Sequence, residues 1–194
     1  MSMYGAKYLQ WAPIVEEPAD SKPTYGQAIN LGPLVKVADS PTYNEAKSYG
    51  DDVLQEYVNE FNECPVDVEV TELPMDAAAA ITGAKLEGES EQKDLAFGAN
   101  DNAPHGGLGF YISKQVKGVK SYQGVFYSKL KASMQGEEYS TKAGTVTLVN
   151  SKMRFLAMSP SFGPWKVKSP GFATETEAKA WVDAKLAAAA ATGA

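Results

Sequence analysis

One cysteine, Cys64, and one histidine, His105, are the chain's whole supply of thiol nucleophile and imidazole base. Thiolate catalysis needs a base beside the thiol, yet these two stand far apart in the chain and on different expected elements. Cys64 shares the parity of Val66 and Val68, so it reads as a small core-facing side chain. A lone cysteine also excludes an intrachain disulfide and a multi-cysteine metal centre. HGGLGF at 105–110 is the nearest approach to a phosphate-cradling glycine loop. A dinucleotide fingerprint needs its glycines between a strand and a helix, whereas here a strand follows, and the glycines read as a turn before Leu108. Asp51-Asp52 lacks the further spaced oxygen donors of a calcium or magnesium loop. Asp and Glu are plentiful, but nothing selects a pair for glycoside hydrolysis. The expectation is a non-enzyme with no cofactor, no metal and no catalytic residue.

The elements that would position any site come from a chain of 194 residues, 44% hydrophobic and 22% charged, enough for one substantial core. No apolar run approaches the roughly 18 residues that span a bilayer, and MSMYGAKYLQWAP lacks the basic-then-apolar pattern of a signal peptide. A soluble protein made in a cytoplasm, with no direct membrane insertion, is expected. Charge is uneven: residues 1–105 hold 19 acids and 6 bases, residues 106–194 hold 5 acids and 12 bases. Eleven of those 12 bases are Lys and only Arg154 is Arg, which argues against phosphate and guanine readout by bidentate forks. Either strands of the two halves interleave and mix the charges, or an acidic surface on one copy meets a basic one on the next.

Along the chain, residues 1–23 read as an N-terminal arm. Tyr4, Tyr8 and Trp11 are its docking side chains, with Pro13, Pro18 and Pro23 preventing a continuous strand or helix. A β domain over 24–172 begins with short strands that end at Gly32-Pro33 and at Ser40-Pro41. Residues 43–52 form a polar, aromatic-studded contact loop. Val66, Val68 and Val70 then alternate with Asp67, Glu69 and Thr71 as a half-buried strand. MDAAAAITGAK predicts a short helix stopped at Gly83, followed by a mobile loop over 84–107. A hairpin around Gly118 is expected to turn Phe110, Ile112 and Val116, and then Phe126, Leu130, Ala132 and Met134, toward the core. A loop over 136–144, a strand through Val146 and Leu148, another from Met153 to Met158, and an irregular crossing segment over 160–171 follow. The last unit, 173–194, is a helix and an alanine-rich tail. Thr174 and Glu177 make a capping box, and Ala178, Trp181, Val182 and Leu186 fall on one face. The fold class expected is mainly β: an antiparallel sandwich or barrel flanked by a short helix and a C-terminal amphipathic helix.

YNEAKSYGDDVLQEYVNEF, the alternating VDVEVTEL running into a short helix, GFYISKQVKGVKSYQGVFYSKLKASMQGEEYSTKAGTVTL, and the closing FATETEAKAWVDAKL together resemble the major tail proteins of long-tailed phages with non-contractile tails. The resemblance runs from Tyr4-Gly5 to the last helix. It implies a structural virion protein made in the host cytoplasm, a tail-tube subunit that assembles into hexameric rings stacked around a channel for DNA ejection. Implied partners are further copies of the chain, the tail tape-measure protein and a tail terminator or connector protein, with phage DNA passing through unbound. In that family the loop matching 43–52 reaches the adjacent ring, which makes Tyr43, Asn44, Glu45, Lys47, Tyr49, Asp51 and Asp52 the inter-ring contact candidates. Duplex DNA carries a phosphate charge per roughly 1.7 Å, so a lysine-lined channel would grip it. Asp67 and Glu69 are accordingly the lumen-facing candidates. The rival expectation is a carbohydrate- or receptor-binding β-sandwich on the virion surface, with Trp11, Trp165 and the many tyrosines as its stacking platform.

Overall fold

The computed structural model describes residues 2–88, 93–116, 118–133 and 149–187. Within them the chain runs β1 (Ser2–Glu16), β2 (Thr24–Tyr25), β3 (Ile29–Asn30), β4 (Leu34–Asp39), β5 (Thr42–Gly50) and β6 (Val53–Val70), then helix α1 (Met75–Thr82). A short pair, β7 (Lys85–Glu87) and β8 (Asp94–Ala96), precedes the long β9 (His105–Val116) and β10 (Val119–Ser133). β11 (Ser151–Ala157), β12 (Lys166–Lys168) and helix α2 (Glu175–Leu186) complete the order. The fold is mainly β and antiparallel with two helices, as the alternation predicts. The expected 136–144 loop, the strand through Val146 and Leu148, and the alanine tail lie outside the described residues.

Ten strands form one sheet, with β2, β1, β9, β10, β11, β6 and β4 as its main path. β3 pairs with the side of β1 that β9 leaves open, and Leu31-Gly32-Pro33 leads from it straight into β4. The far end of the sheet therefore returns to its beginning, and the Leu31 N–H donates to the Leu9 carbonyl. The enclosed side chains come from β1, β6, β9, β10 and β11: Leu9 and Trp11, Cys64, Val66, Val68 and Val70, Leu108 and Phe110, Val125 and Tyr127, Met153 and Phe155. Full burial of each such side chain contributes about 1.5–3 kcal/mol. α1 adds Ala77 and Ile81 to this interior and stops at Gly83, whose φ of 77° lets its N–H close on the Ala79 carbonyl.

Three expectations are overturned here. The N-terminal arm is a core strand: β1 pairs with β9 from Ser2 to Pro13, and Trp11 is 1% exposed. Prolines did not break it because Pro13 still offers its carbonyl to the Gly26 N–H, and Pro18 and Pro23 fall beyond the strand's end at Glu16. Phe126 does not share a face with Leu130. The β10 register slips between Tyr127 and Leu130, a bulge that inverts the alternation, so Phe126 packs with Val182 and Leu186 while Leu130 stays inside. The stretch expected as one loop over 84–107 carries the small β7–β8 pair.

α2 covers the outer face of β9 and β10. Its capping box is present, with the Thr174 hydroxyl and the Glu177 carboxylate each satisfying the other's backbone N–H. Ala178, Val182 and Leu186 are buried. The close approach depends on glycine: a Cβ on Gly124 would enter the Trp181 ring, and one on Gly109 would strike Val182. The HGGLGF glycines therefore lie inside a strand and make room for a helix and for Trp11, rather than turning the chain before Leu108.

Candidate interaction surface

The segment expected as a contact loop is instead the outgoing strand of a long β-hairpin. β5 pairs with β6 from Thr42↔Glu63 to Gly50↔Val53, and Asp51 and Asp52 both have positive φ, 51° and 59°. Two left-handed residues between two strands make the tight turn whose twist suits a hairpin. β11 leaves β6 at Cys64 and β4 leaves it at Val66, so nearer the turn β5 is the one partner of β6 among the described residues, over roughly 30 Å of strand.

Two bulges decide which side chains share a face. Between Thr42 and Tyr43 the register skips Asn62, and between Ser48 and Tyr49 it skips Gln55, whose amide donates to the Gly50 carbonyl. Tyr43, Glu45, Lys47 and Tyr49 consequently line up with Phe61, Asn59, Tyr57 and Leu54. At the base this face joins the interior. Phe61 stacks on Trp165 with centroids 4.4 Å apart, and Tyr43 meets Phe61 edge-on. Further out nothing among the described residues covers it: Tyr49 is 65% exposed, and Leu54 and Tyr57 are 47% exposed. The Lys47 ammonium lies over the Tyr57 ring. A hydrogen bond to Glu45 keeps the Tyr57 phenol protonated to higher pH than usual. The other face carries Asn44, Ala46, Ser48, Glu56, Val58 and Glu60.

An isolated two-stranded hairpin is marginal in water, and this one exposes Tyr49, Val53, Leu54, Tyr57 and Val58 together. Residues 42–63 also hold six acids against the single Lys47. Aromatic side chains flanked by charge are the composition of a protein contact. Val53, Leu54, Tyr57, Val58 and Phe61 belong to this surface and were missed in the sequence, because their spacing follows no simple alternation until the two bulges are known.

The remaining predicted site residues separate. Tyr4 is 46% exposed and near the start of β1, whereas Trp11 is inside and offers nothing to a partner. Tyr8 has φ of 62° at a second irregularity of β1, and its hydroxyl donates to Asp183 of α2 at 2.9 Å. Arm docking thus occurs within the chain. Trp165 is half-buried beneath Phe61, so neither proposed tryptophan is an open stacking platform. Asp67 and Glu69 point outward as the alternation predicts, but cations flank them. Arg154 holds Asp67 through both oxygens, at 2.7 and 3.3 Å, and pulls its carboxyl below the ordinary range. Lys36 and Lys152 lie directly across from Glu69, which accepts from the Asn150 amide. This sheet face is charge-mixed rather than acidic.

No protein-family model matches the chain, and no curated protein matches it either. Among the described residues, no helix is long and apolar enough to cross a membrane.

Proposed function

We propose that this is a structural protein that assembles with copies of itself, a virion tail-tube subunit whose stacked, hexameric rings enclose a channel for DNA. The observation that carries the self-assembly reading is the β5–β6 hairpin. It is long, has no cover from the described residues of its own chain, is aromatic on the face continuous with the core, and is acidic overall. Such a hairpin gains most of its order from a partner. The uneven charge of the two halves supports a second copy as that partner, because the acidic hairpin and a lysine-rich surface then come from one sequence. The tail-tube part of the reading rests on the order and spacing of the sequence segments that resemble that family. The tape-measure and terminator or connector proteins belong to it as further partners, and phage DNA passes through without specific contacts.

The test is electron microscopy of the concentrated full-length chain beside a variant in which residues 43–60 are replaced by a short Gly-Ser linker. The expected result is rings or tubes from the first and folded monomers from the second, the fold being checked by circular dichroism and thermal melting. Dispersed monomers of the unaltered chain at high concentration would sink the reading, as would normal tubes from the folded hairpin variant.

A further inference from the structure

We propose that the tip of the β5–β6 hairpin of one copy seats in the cleft between β1 and α2 of a second copy, where Asp51 and Asp52 meet Lys7 and Lys179 and Tyr49 lies on the tyrosines below. This rests on the self-assembly reading and names the surface that receives the hairpin. The cleft is about 400 Å³ and is lined chiefly by Lys7, Tyr8, Asn30, Tyr111, Glu175 and Lys179. Its floor is aromatic, with the Tyr8 and Tyr111 rings 6.5 Å apart. The carboxylates here are already engaged by tyrosine hydroxyls, Asp183 by Tyr8 at 2.9 Å and Glu175 by Tyr111 at 3.0 Å.

The ammonium groups are less committed. Lys7 reaches Glu175 only at 3.6 Å with its side chain 58% exposed. Lys179 lies over the Tyr8 ring, 5.5 Å from the centroid, and Lys120 sits similarly over Tyr122 at the margin. An ammonium has three donors, and a stack on a ring uses none of them as a strong hydrogen bond. An incoming pair of carboxylates therefore finds charge and donors together, above rings that a tyrosine can cover. A second surface with cations among the described residues, the outer face of β4, β6 and β11, is a poorer receptor. It is a sheet face rather than a concavity, and there Arg154, Lys36 and Lys152 already lie across from Asp67 and Glu69.

Tip into cleft joins two different surfaces, so the contact is heterologous and repeats from copy to copy into a closed ring or an open filament. That growth mode makes the inference separable from the self-assembly reading. Three full-length proteins are compared with the unaltered chain by sedimentation and microscopy across concentration: K7E/K179E, D51N/D52N, and a charge exchange combining D51N/D52K with K7E/K179E. Each of the first two should raise the concentration needed for assembly roughly tenfold or more, and the exchange should bring it back toward the original. An equimolar mixture of the first two should yield heterodimers that grow no further, since it holds one intact tip and one intact cleft. Should K7E/K179E fail to fold, the exposed-turn variant D51N/D52N and cross-linking decide. Cys64 is buried, so D52C in one chain and K179C in another supply the accessible thiols, and a short bismaleimide should join them into one covalent pair. Assembly by the unaltered chain and by both folded charge variants at the same concentration, or no cross-link in assembled material, overturns the inference and leaves self-assembly standing. A chain that stays monomeric at every concentration overturns both.

Discussion

At the scale of single residues, the base of the hairpin is held by a chain of aromatic contacts and one ion pair. Trp165 stacks under Phe61 and tilts against Tyr127, whose hydroxyl donates to Asp39. Lys166, beside Trp165, also binds Asp39. Trp165→Ala removes the stack and should cost roughly 2–3 kcal/mol in denaturant unfolding. It should also speed amide exchange over 42–63 more than over β9 and β10; equal acceleration everywhere would show that Trp165 serves the core alone. Asp39 adds a pH dependence. Burial pushes its carboxyl up, but Lys166, with help from Tyr127 and Lys168, outweighs burial and leaves it below the ordinary aspartate value. A carboxyl lowered on folding contributes stability that is complete above the unfolded value, about 4, and is lost as pH falls through the folded one. Melting temperature should therefore fall below about pH 4, and less steeply in Asp39→Asn than in the unaltered chain. Identical acid limbs would remove Asp39 from the account.

At the scale of elements, the hairpin and β1 exchange the roles expected of them. β1 is sandwiched between β9 and the β2 and β3 segments, with Leu9, Trp11 and Ala12 fully or nearly fully buried. Its paired amides should exchange with the slow core rather than as a mobile arm. The outer part of β5–β6, with both outer sides unpaired among the described residues and its side chains exposed, should exchange fast in the monomer and slow on assembly. Hydrogen exchange on the two states checks both statements. Fast exchange along β1, or no protection of 43–60 in assembled material, would contradict this division. The same comparison separates pairing strength from length: β5 and β1 are both long, and only β1 lies in the part of the sheet that buries its side chains.

At the scale of the whole molecule, charge decides what a channel could do. The chain carries −6 overall, yet the outer face of β4, β6 and β11 matches each acid with a nearby base. If this face lines the channel, DNA passes a wall of compensated charges rather than an acidic one. Asp67→Lys with Glu69→Lys frees Arg154, Lys36 and Lys152 as well as adding two cations. Tubes of that variant should retain duplex DNA at low salt and release it as salt rises. Tubes that form and still ignore DNA at every ionic strength would place this face away from the channel.

What was readable in the chain is what its neighbours along the chain determine. The period of two over Val66–Val70 set the inner face of β6, the Thr174–Glu177 box set the start of α2, and Gly83 set the end of α1, each within a few residues. Tertiary structure decided everything that depends on a distant partner. β1 is a strand because β9, about a hundred positions away, supplies its hydrogen bonds and a cavity for Trp11. Prolines and polar residues look arm-like until that partner is present. The hairpin was half visible: its residues were singled out as a contact segment, but bulges at Asn62 and Gln55 shift the phase of VLQEYVNEF, so no fixed period describes it. The cleft between β1 and α2 was not visible at all. Lys7 and Tyr111 meet Glu175 and Lys179 only once the sheet has closed and the glycines of β9 and β10 have let the helix settle on it, because short-range propensities act along the chain and binding surfaces are assembled across it.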